Sequence, residues 1–156
     1  MTGARAAVAA VGNEYRGDDG VGPIVVREVV KLDLPGVVVT WCDGEPAALL
    51  DAWSGVDLAV VVDAVLCAPA TPGRIHRTTI DTVPAGAQVT SSHALGVPEA
   101  FLLGRALGRV PHALVVVAVE AARFDLGAGL SAPVAAAVPQ VVRTVCTELC
   151  RLDPPA

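Results

Sequence analysis

The chain has 156 residues, 53% of them hydrophobic and 17% charged, with a net charge of −5. This composition excludes disorder for most of the chain and supports one domain, residues 1–156, with a sizeable core. No lysine or arginine cluster marks a nucleic-acid or anionic-membrane surface, and no run reaches the roughly 18 uncharged apolar residues of a membrane span.

Aromatic residues are scarce at 3%, so the core must be built from valine, alanine and leucine. Valine-rich runs favour buried strands, and runs rich in alanine and leucine favour helices. Ala6 to Val11 reads as a short, uniformly apolar strand. The segment leading into it resembles a signal peptide only faintly, because the apolar run is short and ends in an acidic loop; a cytoplasmic protein is expected. Gly22 to Leu32 reads as a helix, with Val25, Val26, Val29 and Val30 on one side and Arg27, Glu28 and Lys31 on the other. One of Asp18 and Asp19 is expected to cap it.

Pro35-Gly36 breaks the chain before a second strand, Val37 to Trp41. A short helix, Ala47 to Trp53, follows. Leu58 to Val65 is a third strand, apolar enough to be buried on both faces. Arg74 to Ile80 alternates polar and apolar like a strand near an edge. Asp81 to Ser92 is irregular. Pro98 to Leu107 reads as a helix, Ala113 to Val119 as a buried strand, and Glu120 to Leu130 as a glycine-containing loop. The last helix starts at Ser131-Ala132-Pro133, with Ser131 as a candidate cap, and runs to about Cys150 with a possible kink at Pro139. Alternating β and α elements imply a twisted, mostly parallel five-stranded sheet between helical layers, an α/β three-layer αβα sandwich. Cys42, Cys67, Cys146 and Cys150 form no Cys-x-x-Cys pair and read as reduced, small hydrophobes.

The chemistry concentrates in few residues. Gly12 to Gly22 is a glycine-bracketed loop between a buried strand and a helix, and it presents two adjacent carboxylates, Asp18 and Asp19. Those repel a phosphate and suit a cation, and the loop lacks Gly-x-Gly-x-x-Gly, which argues against a nucleotide-binding module. Asp63 sits inside Val-Val-Val-Asp-Ala-Val, where a carboxylate is costly unless it is paired or binds a cation. His93 stands where an irregular segment turns into a helix. In open α/β sheets sites form outside the carboxyl ends of the strands. If strands one and three are neighbours, two carboxylates and an imidazole converge on one crevice as a three-ligand transition-metal site with open positions. Glu14 and Glu120 are second-tier candidates, and Asp43-Gly44 can line the mouth. His76 and His112 read as surface histidines, and Arg16 as facing solvent.

Gly12-Asn13 with Gly17-Asp18-Asp19-Gly20-Val21-Gly22, Val62-Asp63-Ala64, Ser92-His93 with Gly96, and Gly129-Leu130-Ser131 together resemble the hydrogenase maturation protease family. These endopeptidases trim the C-terminus of the large subunit of nickel–iron hydrogenases. The resemblance covers nearly the whole chain. It implies that Asp19, Asp63 and His93 are the metal-binding residues, with Asp18 the acidic neighbour of the first. It also implies a hydrogenase large-subunit precursor as partner, with nickel held by that precursor and no tightly bound cofactor of the protease's own. The expected state is a monomer. No Gly-x-Ser-x-Gly elbow or nucleophilic cysteine motif is present, so metal-assisted hydrolysis fits better than an acyl-enzyme route, with whichever of Asp18 and Asp19 is not a ligand available as general base. A non-cutting sensor of a loaded metal centre, or a related metallopeptidase with another precursor, would use the same residues.

Overall fold

The computed structural model describes residues 5–42, 46–79, 96–125 and 127–152. Five strands form one sheet: β1 (Ala6–Val11), β2 (Val37–Cys42), β3 (Leu58–Val65), β4 (Ile75–Thr79) and β5 (Ala113–Glu120), in the order β2-β1-β3-β5-β4. The β1–β2, β1–β3 and β3–β5 pairs are parallel, and β4 runs antiparallel to β5 at the edge. Among the described residues four helices cover it: α1 (Val21–Lys31), α2 (Pro46–Trp53), α3 (Gly96–Leu107) and α4 (Ala132–Leu152). This is the three-layer, mostly parallel α/β architecture that the sequence predicts.

Side-chain alternation sorts the core into two layers. Ala6, Val8 and Ala10 of β1, with Val60 and Val62 of β3, pack against α1 and α4 through Val25, Val29, Val141 and Val145. Ala7, Ala9 and Val11, with Ala59 and Val61, pack against α2 and α3 through Leu49, Trp53, Ala100 and Phe101. Every residue of β1 and β3 is buried, as expected of central parallel strands covered on both faces.

Several boundaries differ from the sequence reading. The helix α3 begins at Gly96, so Pro98 lies in its first turn, where a missing N–H costs nothing. The strand β2 extends to Cys42, α2 starts at Pro46, and β5 takes in Glu120. The helix α4 continues through Pro139 to Leu152. Pro139 is exposed, so water can satisfy the carbonyl that the proline leaves unbonded, while Val134, Val141, Val145 and Leu149 hold the other side in the core. The edge strand β4 is tied to α4 by Arg77, which pairs with the buried Glu148. No disulfide links the four cysteines, in keeping with the sequence reading.

Candidate active site

Two close backbone approaches shape the loop after β1. Gly12 has φ +146°, and a Cβ there would lie 2.0 Å from the carbonyl oxygen of Asp19. A Cβ at Gly22 would lie 2.8 Å from the Val11 carbonyl oxygen and 3.0 Å from that of Val62. Only glycine lets the first turn of α1 sit directly on the ends of β1 and β3. A 3-10 turn, Gly17–Gly20, carries both aspartates into the helix and packs against β3.

The two neighbouring aspartates do different things. Asp18 is 1% exposed and accepts hydrogen bonds from the Ala122 N–H at 2.8 Å, the Ser131 N–H at 2.7 Å and the Ser131 hydroxyl at 2.8 Å. It fastens the first loop to the connection between β5 and α4. Backbone bonds reinforce that seam, from the Gly17 N–H to the Gly127 carbonyl at 2.9 Å and from the Gly127 N–H to the Tyr15 carbonyl at 2.8 Å. The expected aspartate cap on α1 is not found: the cap position is Gly20, without a side-chain bond. The Asp18 carboxylate lies instead at the start of α4, and the Ser131 hydroxyl, read as a cap for that helix, donates to it.

Asp19 is fully buried, and its Oδ2 accepts from the Asn13 N–H at 3.1 Å. The Asn13 side-chain oxygen in turn accepts from the Tyr15 N–H at 2.9 Å, so the loop is an Asx turn supporting itself. Asp19 lines a cleft of about 500 Å³ together with Asn13, Tyr15, Arg16, Arg27 and Trp41. Asp18 is not in that lining. The Trp41 indole N–H donates to the Gly12 carbonyl at 2.7 Å, which fixes one wall. Glu14 pairs with Arg27 at the rim. Arg16, read from sequence as facing solvent, is half-buried and lines the cleft.

Asp63 is 4% exposed, and its Oδ1 accepts from the Ala64 N–H at 2.8 Å. It follows the Ala10–Val62 pair, so the register sets it level with Val11, at the end of the neighbouring strand. The expected adjacency of strands one and three therefore holds. It brings Asp63 and the Gly12–Asp19 contact to the same edge of the sheet. By alternation, Asp63 faces the α2 and α3 side. His93, Ser91, Ser92 and Asp43-Gly44 lie outside the described residues.

His112 is exposed as expected, but His76 is not an ordinary surface histidine. Its Nε2 lies 2.7 Å from Oε2 of the buried Glu120, whose Oε1 accepts from the Thr71 N–H at 2.9 Å. The Thr71 bond, followed by the one to His76, holds the Glu120 carboxyl below the usual carboxylate range. Burial, with Glu120 nearby, pushes the Cys67 thiol up. Sequence reading missed this group because only the β3–β5–β4 strand order brings its members together.

Residues 43–148 match the model of a protein family described as hydrogenase maturation protease. The chain belongs to that family. It is thus a peptidase of hydrogenase maturation. Among solved structures, the hydrogenase maturating endopeptidase HybD from E. coli superposes with a TM-score of 0.82 at 24% identity, covering 96% of this chain and 94% of its own. A [NiFe] hydrogenase maturation protease HybD from Thermococcus kodakarensis gives 0.79 at 25% identity, covering 92% of this chain and 98% of its own. An endopeptidase from Escherichia coli gives 0.83 at 25% identity over 96% and 94%. No curated protein sequence matches the maturation protease described here. The family match includes Asp63, whereas the acidic loop lies ahead of it.

Proposed function

We propose that this maturation protease removes the C-terminal extension of a nickel–iron hydrogenase large-subunit precursor after nickel insertion, and that Asp19, Asp63 and His93 recognise the metal in the precursor. The observation that carries this reading is a pair of buried carboxylates at one edge of the sheet, Asp63 near the end of β3 and Asp19 in the turn after β1, with Asp19 lining a cleft of about 500 Å³. A buried carboxylate is costly unless it is hydrogen-bonded, paired or binds a cation. Carboxylates and an imidazole without sulfur favour transient sharing of a metal over permanent capture, so nickel is treated as part of the substrate. Nickel contributes Lewis acidity next to the scissile bond. The chain positions the tail along the Tyr15–Trp41 wall, and the Asn13 N–H holds the Asp19 carboxylate at the cleft as a ligand for the metal in the precursor. Asp18, committed to Ser131 and Ala122, holds the loop in place. Among the described residues no helix is long and apolar enough to cross a membrane. The proposed reaction is that of a monomeric protease in the cytoplasm.

The test is intact mass of a nickel-loaded large-subunit precursor before and after mixing with the protease. Loss of a short C-terminal peptide is expected, absent with nickel-free precursor and reduced about 100-fold or more in rate with Asp63→Asn. A verified loaded precursor that stays intact overturns the reading in favour of a non-cutting sensor or another substrate. Full activity of both Asp19→Asn and Asp63→Asn would remove the proposed ligand set.

A further inference from the structure

We propose that Cys67, His76 and Glu120 form a second metal site, for a divalent ion of borderline softness such as zinc, built from none of the residues Asp19, Asp63 and His93. One ligand atom from each of the three lies within 4.8 Å of the others. They come from three segments that the sheet fixes in place. Glu120 pairs with Val65 on β3, and Cys67 continues the alternation two residues beyond Val65. His76 pairs with Ala118, two residues before Glu120, so all three side chains emerge on one face at the carboxyl end of the sheet.

The donor set is that of a transition-metal site. A thiolate, an imidazole and a carboxylate suit zinc, cobalt or nickel, and three protein ligands leave a position open. Metal–ligand distances of about 2.0–2.3 Å put tetrahedral ligands about 3.3–3.8 Å apart. The His76–Glu120 contact at 2.7 Å must open slightly. The surroundings are arranged for this. Thr71 holds Oε1 of Glu120 and leaves Oε2 for the ion, the kind of outer hydrogen bond that orients a metal-binding carboxylate. The Glu120 backbone is pinned from both sides, by the Gly73 N–H to its carbonyl at 2.8 Å and by its own N–H to the Arg74 carbonyl at 2.9 Å. The His76 side chain is 41% exposed, which leaves the ion a path from solvent. Binding releases the Cys67 thiol proton to the buffer and leaves the imidazole proton on Nδ1. Thiolate and carboxylate then balance the two charges of the ion. The alternative is a plain hydrogen-bonded clip that holds the edge strand.

The experiment titrates the full chain, stripped of metal, with cobalt(II) and follows absorbance, then displaces the cobalt with zinc. The expected result is a thiolate-to-cobalt charge-transfer band that saturates at one ion per chain. It should be lost in Cys67→Ser and retained in Asp63→Asn, which separates this site from the peptidase site. His76→Ala should weaken zinc binding about tenfold or more. Absence of the band in the unaltered protein, its survival in Cys67→Ser, or unchanged zinc affinity in His76→Ala would each overturn the proposal.

Discussion

The two ends of the sheet's carboxyl edge hold their acidic groups with different shares of backbone and side-chain partners. After β1, position is enforced by backbone: Gly12 lies against the Asp19 carbonyl, Gly22 against the ends of β1 and β3, and peptide N–H groups hold both aspartates. At the β4–β5 edge, side-chain partners are added to the backbone ones: Glu120 accepts from the Thr71 N–H but is also met by His76 and neighboured by Cys67, and Arg77 reaches across to Glu148. Backbone holds a group rigidly and tolerates no added atoms. Side-chain partners are exchangeable, which suits a group that trades a proton for an ion. The proposed peptidase site thus stands on the unyielding part of the fold.

Gly12→Ala should break the comparison most severely. A methyl group 2.0 Å from a backbone oxygen, at positive φ, has nowhere to go. A loss of about 3 kcal/mol or more is expected from strain and overpacking, measured by urea unfolding. Asp18→Ala comes next. It leaves the N–H groups of Ala122 and Ser131 without their acceptor, at about 2–3 kcal/mol. Its neighbour should behave differently: Asp19→Asn keeps the shape of the loop and loses cleavage far more than stability. If Asp18→Ala left the unfolding midpoint unchanged, the clamp would not be what holds the two loops together.

The sheet was legible in sequence because β1 and β3 are buried on both faces and β5 largely so, all three reading as mainly apolar runs, and because β4 alternates as an edge strand does. The acidic loop was legible for the same reason: carboxylates directly after such a run stand out. The division of labour between Asp18 and Asp19 was not, since the donors to Asp18 come from Ala122 and Ser131, more than 100 residues away. His76 was misread because nothing local marks it. Its partner Glu120 is brought beside it by an antiparallel turn-back of β4 onto β5, a choice of edge that periodicity does not encode. The cleft wall at Trp41 escaped notice too, because a tryptophan closing an apolar strand looks like core until its indole is found bonded to Gly12.

Glu120→Gln should cost less than Asp18→Ala. The amide oxygen can still accept from Thr71, so only the charge-assisted bond to His76 is weakened. A loss of about 1 kcal/mol is expected in thermal or urea unfolding. A loss as large as that of Asp18→Ala would mean the edge is built as rigidly as the first loop.

The smallest effect on stability is expected from Arg27→Ala. Its pair with Glu14 sits at the cleft rim with side chains 58% and 35% exposed, where an ion pair contributes under about 1 kcal/mol after screening and side-chain ordering. Its value is in separating binding from chemistry. If the precursor's tail runs through the cleft that Arg27 lines, the substitution removes contacts present in both the bound and the transition state, so KM rises while kcat holds. An equal fall in kcat and kcat/KM would instead place Arg27 among groups that act only as the bond breaks. Unchanged kinetics would mean that the tail approaches Asp19 from another side of the sheet edge.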